Sequence, residues 1–150
     1  MIWHLIDSSS VGGAERHVAT LAETCSALDI EIQVVLLQKH GHNPWLEQLT
    51  HGGISYRHLD GSWRHLVDII REQRPLLIHT HGYKAGLFGR AAARLLGVPV
   101  VSTFHSGARS TWPVWAYECA DEWSAFLGES IAVSPDVAAR LPWRAAVMSS

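Results

Sequence analysis

Short apolar runs of strand length alternate with helical stripes along the whole chain. That alternation limits the fold more than any single motif. Ile2 to Ile6 reads as a first strand. Beyond the loop Asp7 to Gly13, Ala14, Val18, Leu21, Ala22, Cys25 and Leu28 recur at the spacing of one buried helical face. Ile30 to Leu37 is a second strand whose continuous apolar end suits a parallel strand covered on both sides. Pro44 opens a short helix. Ile54 to Leu59 is a third strand, followed by a helix capped by Ser62 and facing inward through Trp63, Leu66, Val67 and Ile70. Leu76 to His81 is a fourth strand. The next helix, Tyr83 to Leu96, is expected to bury Phe88, Ala91, Ala92 and Leu95, with Gly97 as its stop. Val98 to His105 and Glu129 to Val133 are further strands, separated by a Trp-rich stretch and a helix around Tyr117 to Leu127. Ser134-Pro135-Asp136 starts another helix, and Ala145 to Ser150 looks like the opening of one more strand. Such alternation implies an α/β, Rossmann-like, doubly wound and mainly parallel sheet with helices on both faces.

At 150 residues, 47% hydrophobic and 17% charged, the chain has the size and composition of one packed domain. A net charge of -2 without charge runs argues against a nucleic-acid binder and gives no sign of a membrane-docking face. Cys25 and Cys119 fall in helices and read as buried thiols of a reducing compartment. With no bilayer-length apolar run and no basic leader, the expected location is the cytoplasm. Ten histidines are many for this length, but they are scattered, which argues against a single metal cluster.

Open parallel sheets bind ligands beyond the carboxyl ends of their strands. Three such stretches carry chemistry. Gly12 and Gly13 sit at a strand-to-helix junction, where backbone amides and the helix N-terminus favour an anion; a glycine turn that only packs the helix fits equally well. The segment matches neither the dinucleotide fingerprint nor a Walker loop. His79 and His81 share one strand face. A metal would need a third ligand that no spacing supplies, so a polar strand end lining a pocket is the better reading, with Tyr83 and Lys84 at its mouth. His105, followed by Ser106, ends a buried strand without any nucleophile-elbow pattern, and Trp112 and Trp115 could form an aromatic rim.

In these stretches the chain resembles the N-terminal domain of the family-4 retaining glycosyltransferases, which pair two Rossmann-like domains in the GT-B fold. The likeness rests on Gly12-Gly13-Ala14-Glu15-Arg16-His17, His79-Thr80-His81-Gly82, Gly86-Leu87-Phe88-Gly89-Arg90, Gly97-Val98-Pro99-Val100-Val101, Thr103-Phe104-His105-Ser106 and Ile131-Ala132-Val133-Ser134, in that order. The resemblance implies that His105 contacts the transferred sugar as the catalytic residue. It implies that Gly12 and Gly13 lie against donor phosphates or acceptor, and that His81, Tyr83 and Ser106 line the acceptor side. A nucleotide-sugar would be the donor and a carbohydrate or lipid-linked molecule the acceptor, with configuration retained and no metal or other cofactor required. The second domain of that family, which carries most of the nucleotide contacts, is absent from residues 1–150, so this chain is expected to be inactive alone. Two other functions compete: a self-standing flavodoxin-like domain binding a small anion without catalysis, and a metal-dependent hydrolase using His79, His81 and His105. A signalling receiver is disfavoured, because only Asp7 supplies an acid after the first strand.

Overall fold

The computed structural model describes residues 1–105 and 111–148. Its strands are β1 (Ile2–Ile6), β2 (Ile32–Leu36), β3 (Tyr56–His58), β4 (Leu77–His81), β5 (Val100–Phe104), β6 (Glu129–Ala132) and β7 (Ala146–Val147). They form one sheet in the order β3-β2-β1-β4-β5-β6-β7, and every neighbouring pair is parallel. The helices are α1 (Gly13–Ala27), α2 (Pro44–His51), α3 (Trp63–Gln73), α4 (Tyr83–Leu96), α5 (Val114–Trp123) and α6 (Pro135–Ala138), with a 3-10 turn at Ser124–Leu127. The order of the first six strands across the sheet is the Rossmann order, with its reversal between β1 and β4. A flavodoxin-like sheet would order its strands 2-1-3-4-5, which this sheet does not. No helix among the described residues is long and apolar enough to cross a membrane.

Local chemistry fixes the helix starts. Asn43 accepts from the Trp45 N–H, Ser62 from the His65 N–H and Ser134 from the Val137 N–H, each satisfying an otherwise orphaned donor for about 1 kcal/mol. Pro44 and Pro135 occupy first-turn positions where the missing N–H costs nothing.

The sheet separates two larger cores, with a smaller third cluster of Phe104, Ala125, Ala132, Val137 and Leu141 toward β6 and α6. Trp3, Leu5, Val35 and Ile78 point toward α3 and α4, where Leu66, Ile70 and Ala92 meet them. Ile6, Val34 and Leu36 point the other way, toward Val18 and Ala22 of α1 and Trp45 and Leu49 of α2.

Several elements differ from the sequence expectation. Strand ends are trimmed because a strand lasts only while its neighbour pairs: β3 holds three residues, matched to Val34 through Leu36. α4 turns a different face inward. Its buried residues are Ala85, Gly86, Gly89, Arg90, Ala92 and Ala93, while Leu95 is 64% exposed. The cause is close approach. A Cβ on Gly89 would lie 2.5 Å from Thr80 Cγ2 and 2.8 Å from Leu5 Cδ2, so the glycine stripe, not the leucine stripe, faces the sheet. Leu28, the residue just past the end of α1, and Trp63, the first residue of α3, are likewise exposed. Cys25 and Cys119 are half-buried, not fully buried thiols.

Candidate active site

The crevice of a doubly wound sheet opens where neighbouring strands send their connections to opposite faces, here beyond the ends of β1 and β4. Asp7 leaves β1 at this point, and Gly82 joins β4 to α4 with φ 81, a left-handed value that favours glycine. Gly12, half-buried, is the N-cap of α1, and Gly13 is exposed. The Gly12 amide is already engaged: it donates to Glu15 Oε2 at 3.0 Å. A phosphate resting on that amide must displace this carboxylate.

Five of the ten histidines converge under the crevice. Parallel register sets His4 of β1 beside His79 of β4, and alternation puts His81 on the same face. His4 Nδ1 and His81 Nε2 lie 3.1 Å apart, and His81 Nδ1 and His105 Nε2 3.2 Å apart. His79 Nε2 faces Thr103 Oγ1 at 2.7 Å. From α1, His17 sets its ring edgewise, 5.2 Å from that of His105 and 6.0 Å from that of His81. So on the α1 side the apolar core of β1 and β2 gives way, over β4 and β5, to a core of imidazoles.

Burial there disfavours a positive ring. It drives His4 down to about 4, His79 to about 3 and His105 to about 4, with nearby histidines adding repulsion; His81 is pushed well down and His17 is lowered too. All five are neutral at pH 7. His105 therefore acts there as a hydrogen-bonding ring, not a cation.

Beside this cluster a cleft is lined by Ala14, Gly82, Tyr83, His105, Glu118 and Arg140. A smaller hollow lined by Asp7, His81, Gly82, Tyr83 and Lys84 shares Gly82 and Tyr83 with it. Lys84 Nζ pairs with Asp7 Oδ2 at 3.0 Å, while Asp7 Oδ1 meets His40 Nε2 at 2.6 Å. Lys84 is thus tied to the end of β1, not left as a solvated surface lysine.

The far wall comes from α5, fixed by a residue that periodicity did not single out. Arg90 of α4 is completely buried. It donates to Ser102 Oγ at 2.8 Å, to the Asp121 carbonyl at 2.7 Å and to Ser124 Oγ at 2.8 Å, and it pairs with the Asp121 carboxylate. Burial pushes the Asp121 carboxyl up to about 6 against the pull of Arg90. The guanidinium also lies over the Phe104 ring, 5.5 Å from its centre.

Of the residues singled out from sequence, His81, Tyr83 and His105 meet around this crevice, with the Gly12–Gly13 turn at its α1 side. Ser106 lies outside the described residues. Trp112 and Trp115 are exposed, as a rim requires. The histidines, scattered in sequence, are gathered in the fold, since parallel pairing brings together residues far apart along the chain. His4 supplies the third imidazole that no spacing revealed. The hydrolase trio of His79, His81 and His105 is not what gathers most tightly; His4, His79 and His81 each offer a ring nitrogen within 4.8 Å of the others.

Comparison with known proteins agrees with this fold. A curated relative, D-inositol 3-phosphate glycosyltransferase of Arthrobacter sp. (strain FB24), is 26% identical over 121 residues, covering 68% of this chain and 29% of that protein. Among solved structures, Anabaena Alr3699/HepE in complex with UDP-glucose superposes with a TM-score of 0.78 at 19% identity, covering 98% of this chain and 42% of that one. Acinetobacter baumannii MurG gives 0.72 at 14% identity, over 99% of this chain and 44% of that one. UDP-GlcNAc 2-epimerase from Neisseria meningitidis shares the fold at 0.65 and 18% identity, over 94% of this chain and 43% of that one, so the fold alone does not name a reaction. The chain spans well under half the length of each of these proteins. The profile of Glycosyltransferase Family 4 matches residues 11–145, nearly the whole chain, and the chain belongs to that family.

Proposed function

We propose that this chain is the N-terminal, acceptor-side domain of a cytoplasmic GT-B glycosyltransferase that moves a sugar from a nucleotide-sugar to a carbohydrate or lipid-linked acceptor with retained configuration. One observation carries the reading: His105, at the end of β5, is braced by His81 at the wall of a cleft that the start of α1 and Tyr83 also line. Binding of UDP-glucose by the structurally similar HepE supports a nucleotide-sugar as donor.

In this reading the acceptor hydroxyl attacks the anomeric carbon from the face the nucleotide leaves. The bond from that carbon to the phosphate oxygen breaks, its electron pair goes to the nucleoside diphosphate, and that diphosphate takes the acceptor's proton. The protein's part is orientation. Neutral His105 hydrogen-bonds a hydroxyl of the transferred sugar. His81, Tyr83 and Ser106 line the acceptor side, and the Gly12–Gly13 turn approaches phosphate or acceptor once Glu15 yields. The transfer step uses no metal and no other cofactor. A second domain carries most of the nucleotide contacts, so residues 1–150 alone give no turnover.

The test assays the complete native protein against a panel of nucleotide-sugars, with product anomeric configuration read by NMR. Transfer with retention, and a kcat lowered about 10²-fold or more by His105→Ala, are expected. An inverted product refutes the stereochemistry, full activity of His105→Ala refutes its role, and robust turnover by residues 1–150 refutes the half-enzyme reading.

A further inference from the structure

The imidazole core is unusual enough to ask what else it could hold. Zinc is bound by neutral histidine nitrogens at about 2.0–2.1 Å, which puts two ligands of one tetrahedral ion roughly 3.4 Å apart. His4 Nδ1 and His81 Nε2 stand 3.1 Å apart, and His79 brings a ring nitrogen within 4.8 Å of both. Side-chain rotation of about 1 Å closes that third distance to ligand spacing.

A second, independent observation concerns the outer nitrogens. A metal-bound histidine usually donates its other N–H to a fixed acceptor, which sets its tautomer and aims its lone pair. Two of these three rings have that acceptor in place. His79 Nε2 faces the Thr103 hydroxyl at 2.7 Å, leaving Nδ1 to bind, and His81 Nδ1 faces His105 Nε2 at 3.2 Å, leaving Nε2 to bind.

We infer that His4, His79 and His81 form a binding site for a divalent transition metal of the zinc class, with Thr103 and His105 orienting two of the ligands. Imidazole-only donors suit zinc, copper or nickel and disfavour magnesium and calcium, which require oxygen. The site lies beneath the cleft, and its ion is not a participant in the transfer step. Its consequence is orientation: with His81 Nε2 on the ion, Nδ1–H must donate to His105 Nε2, so neutral His105 carries its proton on Nδ1. The inference does not depend on glycosyl transfer. Its readout is metal uptake without turnover, so either idea can fail while the other stands.

Untagged full-length protein, stripped with a chelator, is titrated with cobalt(II) as a coloured stand-in for zinc, then with zinc alone. One equivalent per chain with the intense visible absorption of tetrahedral cobalt, displaced by zinc, is expected. His4→Asn and His79→Asn abolish uptake, Thr103→Val weakens it by roughly 10-fold or more, and His42→Ala and His51→Ala on the surface leave it intact. No uptake, or uptake undiminished in His4→Asn and His79→Asn, overturns the site. Should those variants fail to fold, nitrogen NMR of the wild type decides. Zinc must shift the ring signals of His4, His79 and His81 while sparing His42 and His51, and the reverse pattern overturns the site equally.

Discussion

Acidification to pH 5, with chelator present, should destabilise this protein by about 3 kcal/mol or more, and the imidazole core is the reason. His4 and His79 are neutral in the fold down to about 4 and about 3, whereas in the unfolded chain each takes a proton near 6.5. Between those values the unfolded state binds more protons, so stability is full above 6.5 and falls as pH drops toward the folded values. At pH 5 each of the two histidines removes about 2 kcal/mol. His81, His105 and His17 are shifted the same way and add to the loss. Asp121 opposes it. Its folded value of about 6 stands above the ordinary 3.8, so its contribution grows as pH falls through that window and returns about 1 kcal/mol at pH 5. Against a total of roughly 5–15 kcal/mol, the net loss is large, and for a domain of this size it corresponds to a fall in Tm of about 6–12 °C. Urea denaturation at pH 7 and pH 5, followed by circular dichroism, measures it. A midpoint equal or higher at pH 5 would refute the claim that these rings are buried neutral together.

Four further outcomes follow from the same contacts. Gly89→Ala forces a methyl into Thr80 and Leu5 and should cost about 1–3 kcal/mol in denaturant midpoints, despite alanine's better helix propensity. Arg90→Met leaves the buried Asp121 carboxyl without its cation and Ser102 and Ser124 without their donor, and should lower stability by about 3–5 kcal/mol, with α5 losing hydrogen-exchange protection first. Glu15→Ala frees the Gly12 amide: helix α1 loses about 0.5–1 kcal/mol of end stabilisation, while phosphate or nucleoside diphosphate binding to the complete protein tightens if the glycine turn meets phosphate, as calorimetry would show. Zinc in excess at pH 7 should raise Tm of the wild type but not of His79→Asn, a comparison read by differential scanning fluorimetry.

The fold was legible because its signals are local. Every helix begins close to where a Ser, Asn, Pro or Gly signal stands in the sequence, and each strand falls inside a stretch that the sequence marked, even β3, whose centre is Arg57. What periodicity could not see on α4 was distance. Leu95 scores as core and Gly89 as a gap until β1 and β4 are placed beneath the helix, when Leu5 and Thr80 leave room for a hydrogen and nothing more. Arg90 escaped for a related reason. A charged residue is assigned to the surface unless its partners are known, and its partners, Ser102, Asp121 and Ser124, lie 12 to 34 residues away.

The site divided along the same line. His79 and His81 could be paired from sequence because alternation along one strand is local, and the end of β5 marked His105. Their meaning depended on register, which strand order sets. His4 stands in an apolar run near the start of the chain, where one histidine among Trp3, Leu5 and Ile6 suggests nothing. Parallel pairing with β4 sets it against His79, and alternation brings it within bonding distance of His81. A histidine on β1 at the height of a His-x-His pair on β4 is therefore a usable signal once the strand order is known, because adjacency of the first and fourth strands is what the Rossmann crossover builds. The same adjacency that opens the crevice also builds the imidazole core beneath it. His81 belongs to both, facing His4 inward through Nε2 and His105 outward through Nδ1, so a substitution there should disturb ring protonation and His105 orientation together.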